Sequence, residues 1–161
     1  MSATTIVEGV SLALRIGYAP HTGRMYFTPQ AILEEFLRYS NAHKRKFLYT
    51  DNRNGASIKS KIDLPDHIIL FSPKADFKLI GDIFLCGKDY DPSTWQSEYT
   101  APEPWCRMPA RYWYMIRNLR LLTDFKWDDY ETIAPQRDPI RMSDELANER
   151  RIAIYRIQPH G

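Results

Sequence analysis

The chain is poor in the residue patterns that announce a reaction. Of its 161 residues only two are cysteines, Cys86 and Cys106, and their spacing fits no metal motif. So few thiols suit a reducing compartment. No apolar run approaches the roughly 18 residues of a membrane-spanning helix. The N-terminus has no basic stretch followed by a long apolar one, so neither a span nor a secretory leader is expected. An intracellular protein, cytoplasmic or nuclear, is the expectation. There is no phosphate loop, no nucleophile elbow, no His-Glu-x-x-His and no paired Cys-x-x-Cys. The four histidines, His21, His43, His67 and His160, are scattered along the chain. Asp89-Tyr90-Asp91 comes nearest to a cation-binding run, yet it precedes Pro92, where aspartate does turn chemistry. No metal, no cofactor and no catalytic group is expected, which favours a binding protein over an enzyme.

What is present is uneven charge and many rings. The net charge of +2 names no partner, but its distribution does. Between Asn41 and Lys61, Lys44, Arg45, Lys46, Arg53, Lys59 and Lys61 face Asp51 alone, a local charge of +5. Farther on, Asp124, Asp128, Asp129 and Glu131 lean acidic. One basic and one acidic region can orient a polyanion. Aromatics make up 13% of the chain, and the stretch Glu103 to Leu122 holds two of the four tryptophans among four arginines.

Periodicity predicts the elements. Leu12, Leu14 and Ile16 alternate as in a strand that stops before Pro20, and "RMYF" after Gly23 reads as a second short strand. Thr28 and Pro29 suit the cap and first position of a helix through "AILEEFLRYSNAHKRK", with an apolar stripe of Ile32, Leu33, Phe36 and Leu37 and basic residues at its far end. "KFLYT", Ile68 to Phe71 and "FKLIGDIFLCG" are strands. The last is apolar enough for burial on both faces, with Gly81 marking a bulge or a close backbone approach. A long proline-bearing loop follows. In "ARYWYMIRNLRLL", Tyr112, Tyr114 and Ile116 fall on one face and Trp113 and Met115 on the other. A helical turn in "TDFKWDDYETI", a short helix capped by Ser143 and a closing strand in "IAIYRI" complete the chain. The order lacks the βαβ alternation of a parallel sheet. It predicts a single α+β domain over residues 1–161, a small curved mixed β-barrel with a few helices packed on it.

Several rings could stack a base, at about 1–3 kcal/mol each. Trp113, flanked by apolar strand residues, reads as core, and Trp127 as a cover for the barrel edge. Trp95 and Trp105 sit in the polar loop, where a large ring is either an anchor or a ligand contact. Tyr49 stands beside the basic loop.

The run from Tyr49 to Asn54, Pro65-Asp66-His67 to Phe71, Leu79-Ile80-Gly81, Asp91-Pro92 to Trp95 and Arg111-Tyr112-Trp113 resembles the PUA-like superfamily, and within it the YTH and EVE domains. The resemblance covers about Phe27 to Asp129 and leaves 1–26 and 136–161 as extensions that diverge from the family. It implies a barrel that flips a modified base, expected to be methylated, of RNA or DNA into an aromatic pocket. The first cage aromatic falls on Tyr49, where the family usually has Trp, the loop asparagine on Asn52 or Asn54, and the second aromatic on Trp95 or Trp105. Lys44, Arg45, Lys46, Arg53, Lys59, Lys61 and Arg107 are the candidate backbone contacts. Two alternatives stand beside this: a small ASCH-like ribonuclease working through Tyr49, Arg53, Lys59 and Lys61, and an adaptor whose aromatic loop is an interface anchor.

Overall fold

A computed structural model of the chain describes residues 5–17, 28–53, 64–133, 138–147 and 154–161. The expected "RMYF" strand and the Gly23 turn lie outside these residues. The alternating N-terminal segment forms β1 (Ser11–Arg15). The capped helix is α1 (Pro29–Ala42), with the Thr28 hydroxyl accepting the Ala31 N–H at 3.1 Å. Then come β2 (Lys46–Asp51), β3 (His67–Phe71), β4 (Lys78–Tyr90) and β5 (Ala110–Leu122). Short β6 (Tyr130–Thr132), α2 (Met142–Ala147) and β7 (Ile154–Pro159) finish the order. Among the described residues two single 3₁₀ turns, Trp105–Arg107 and Trp127–Asp129, lie between the strands.

The strands form one mixed sheet in the order β2-β5-β4-β3-β1-β7-β6. β1 and β3 run parallel, and the other neighbours are antiparallel. The fold is therefore α+β, a seven-stranded mixed sheet with two helices among the described residues. It does not close into the expected barrel: β2 and β6 are its two edges. A loop meets each edge instead. The Leu48 N–H donates to the Thr100 carbonyl at 3.0 Å, and the Thr132 N–H to the Ile140 carbonyl at 2.8 Å. Once a loop takes these edge donors, edge-to-edge pairing has less to offer.

One face of the sheet packs on α1. Ile32, Leu33 and Phe36 meet Phe47, Leu12, Leu14, Ile68, Leu70 and the inward side chains of β5, all buried. Burying each such side chain stabilises by roughly 1.5–3 kcal/mol. The opposite face is covered in two places. The loop after β4 lays Tyr99 and Ala101 near Leu48, with Trp95, Trp113 and Met115 packed on them. At the other end Tyr130, Met142, Tyr155 and Trp127 cover Ile69, Phe71 and Ile80.

Several expectations shift in detail. α1 ends at Ala42, so the basic residues lie beyond it. The N–H groups of His43 and Arg45 both return to the Ser40 carbonyl, and Lys44 and Arg45 turn the chain with φ of 58° and 57°. Ser143 lies inside α2 rather than capping it and donates to Asp128 at 2.8 Å. Burial of β4 on both faces holds only for Leu79 and Ile80 near Gly81, whereas Phe84 and Leu85 are exposed. They sit at a break in register after Ile83, between the two covers.

Candidate functional site

The site is built at the end of β2. Period-2 alternation puts Tyr49 and Asp51 on the same side of the strand. The Tyr49 hydroxyl donates to Asp51 Oδ2 at 2.8 Å. Asp51 then closes a turn, accepting the Arg53 N–H on Oδ1 at 2.7 Å. The Arg53 guanidinium folds back on the same carboxylate, with Nε 3.0 Å from Oδ1 and Nη2 2.5 Å from Oδ2. Its Nη2 also donates to the Tyr49 oxygen at 3.1 Å and its Nη1 to the Arg15 carbonyl at 2.7 Å. Tyr49, Asp51 and Arg53 thus lock the end of β2 to the end of β1.

Beside this lock opens a cleft of about 230 Å³, lined by Tyr49 through Arg53, Trp105 and Met108 through Ala110. Trp105 stands on its 3₁₀ turn, half-buried, with its ring 4.9 Å edge-on from Phe36. Phe36 also meets the Tyr49 ring edge-on at 6.2 Å, so one helix residue braces both aromatics. Tyr49 is 7% exposed and offers the cleft little ring surface. Asn52 also lines the cleft and is exposed, its Oδ1 accepting the Arg111 N–H at 2.9 Å. That bond engages the carboxamide oxygen, and the NH2 group carries the two donors of the side chain.

The electrostatics of the lock follow from burial and from the Asp51 carboxylate. Burial first, and then the Asp51 charge, push the Tyr49 phenol well above its ordinary range, so it stays neutral. Burial opposes the charge on Arg53, but hydrogen bonds to Asp51 and the neighbouring oxygens outweigh this and hold it above its ordinary value. Both Asp51 oxygens are taken by Arg53, leaving no idle base. Among the described residues no group of three or more His, Cys, Asp or Glu could hold a metal ion. Both cysteines are free.

The remaining candidates are dispersed. Trp95 does not line the cleft. It packs on Tyr90 and Trp113 at 5.2 and 5.1 Å, and its indole N–H donates to the Tyr99 carbonyl at 2.8 Å. Lys44, Arg45 and Lys46 cluster at the other end of β2, where Lys46 pairs with Glu98. Arg107 is exposed and pairs with Glu103 at 2.6 Å. Asn54, Lys59 and Lys61 lie outside the described residues. The alternating Tyr-x-Asp-x-Arg spacing is the sequence signal for Asp51, which in a charge count is only a lone acid. Phe36 carries no such signal, because a brace on a helix looks like any core residue. No helix among the described residues is long and apolar enough to cross a membrane. Comparison with protein-family models finds no match, and comparisons with curated proteins and with solved structures find no significant one.

Proposed function

We propose that this chain is a nucleic-acid-binding module of PUA-like type that takes a modified, methylated base into the cleft between Trp105 and Asn52. The observation that carries the reading is the cleft itself. It gathers a ring and an amide, backed by the Tyr49–Asp51–Arg53 lock, from segments more than fifty residues apart in sequence. Its size is below the roughly 300–1,000 Å³ of pockets for drug-sized ligands, which suits one flat heterocycle. A methylated base is planar and nearly neutral, and gains from a ring face plus an amide that reads its edge. The Asp51–Arg53 pair holds the cleft wall rather than cleaving, which lends the ribonuclease reading less support. The mixed sheet with one long helix against it is compatible with the PUA-like part of the proposal.

Calorimetry with a methylated single-stranded oligonucleotide tests the reading. Trp105→Ala is expected to weaken binding about tenfold or more. Trp95→Ala is expected to lower thermal stability while leaving affinity within about twofold, because its ring packs outside the cleft. Equal affinity losses from the two substitutions would contradict this assignment of the cleft.

A further inference from the structure

β4 carries an exposed ring that the cleft does not use. Phe84 is 47% exposed on the sheet face away from α1. The Arg117 guanidinium carbon lies 3.7 Å from the centre of its ring. Arg117 Nε donates to the Tyr99 hydroxyl, and the Tyr99 ring lies 5.8 Å from Phe84 and nearly parallel to it, at 20°. The Lys46 ammonium is 5.9 Å from the same Tyr99 ring. Phe84, Arg117, Tyr99 and Lys46 therefore form one continuous patch. The patch borders the Lys44–Lys46 turn, because Lys46 stands directly opposite Arg117 and the Asn118 N–H donates to the Arg45 carbonyl.

We propose that this patch and turn form a second nucleic-acid contact, which holds the single strand flanking the base in the cleft; the proposal rests on the nucleic-acid reading of that cleft. Three observations carry it. A large ring kept in water under a guanidinium is a stacking platform, since bases stack on both groups. The turn brings Lys44, Arg45 and Lys46 beside Arg117; Glu98 pairs with Lys46, and Asp82, opposite Arg117, pairs with Arg120, which leaves a surplus of cations that matches a chain of phosphates. Lys44 and Arg45 both occupy the left-handed region, where glycine or asparagine would be relaxed. A strained turn built from two exposed basic residues fits a role for their charge. The occupant is single-stranded: an acidic peptide would use the cations and leave the ring idle, and a duplex keeps its base faces stacked inside. β2 joins the two sites, with Asp51 at the cleft on the α1 side and Lys46 at the platform on the other side, about 16 Å apart along an extended strand, so the bound strand passes around the β2 edge.

Two labelled single strands test it in anisotropy titrations: one covering only the cleft, one long enough to reach Lys46 as well. Phe84→Ala and Arg117→Gln should each weaken the long strand about tenfold and leave the short one unchanged. Lys44→Gly and Arg45→Gly should weaken the long strand and flatten its salt dependence by about 0.7 in log-log slope for each phosphate-pairing charge removed. Both should also hold or raise the melting temperature, because glycine relieves the left-handed backbone. Loss of the long strand in Phe84→Ala, with no preference for modification in any variant, upholds the platform and overturns the cleft reading alone. Unchanged long-strand affinity in all four variants, with Trp105→Ala still damaging, overturns the platform and spares the cleft. Displacement by poly-glutamate as effective as by an unlabelled strand would make the surface a generic acidic-peptide site and overturn the proposal.

Discussion

Single side chains decide how firmly the cleft wall is held. Asp51 is buried and accepts from Tyr49 and from three Arg53 donors. Asp51→Ala would take the shared carboxylate from a half-buried guanidinium and a buried phenol. The expected loss is about 2–4 kcal/mol, read from urea unfolding, since removing one member of a buried pair costs more than the pair itself contributes. Tyr49 supplies a pH dependence of definite sign. Its folded pKa is raised, so below the unfolded value of about 10 its contribution is intact. As pH rises beyond that, the unfolded chain releases a proton that the native state keeps, and stability falls. Tyr49→Phe should flatten the alkaline limb of stability against pH. The buried Tyr114 phenol, also raised, leaves a residual slope. Residue types at alternate strand positions make Tyr49 visible in the sequence. Which loop tryptophan meets it is not visible there, because loop path rather than local pattern decides that.

At the scale of elements, β4 and β5 show how register is set. Ile80 stands opposite Arg120 while Asp82 stands opposite Arg117, so β5 carries an extra residue, and Asn118 takes φ of 55° there. Gly81 is needed at this point, since a Cβ would come 2.3 Å from Ile116 Cγ2. Gly81→Ala should cost about 1–3 kcal/mol through overpacking of the α1-facing core, measurable as a lower midpoint in chemical denaturation. The glycine's role is readable from an apolar strand interrupted by one small residue. The alternation of Tyr112, Tyr114 and Ile116 against Trp113 and Met115 is equally readable, and the burial pattern follows it. Three-residue β6 is not, because so short a run has no periodicity. The end of α1 comes earlier than its sequence pattern predicts because the stop depends on left-handed Lys44 and Arg45, residues that give no glycine-like signal.

At the scale of the molecule, hydrophobic pattern tells which faces are buried but not which edges meet. That is why the α+β class is legible and the open sheet is not: covering β2 with Thr100 and β6 with Ile140 depends on loops far from either strand's own pattern. The same gap hides the uncovered strip at Phe84, since an apolar run reads as core whether or not a loop reaches it. The whole-molecule arrangement places the cleft at one end of β2 and the basic turn at the other, so ligand specificity and salt dependence are expected to separate. Trp105→Ala should erase preference between ligands while leaving the salt slope unchanged.

The proposed reading of the cleft is uptake of a modified base. Paired titrations of one single-stranded sequence, with and without a methylated base, at one fixed salt concentration, test it most directly. Binding of the methylated strand is expected to be about tenfold or more tighter, with the preference lost in Trp105→Ala. Equal, weak and salt-sensitive binding of both strands, unaltered by that substitution, would contradict it.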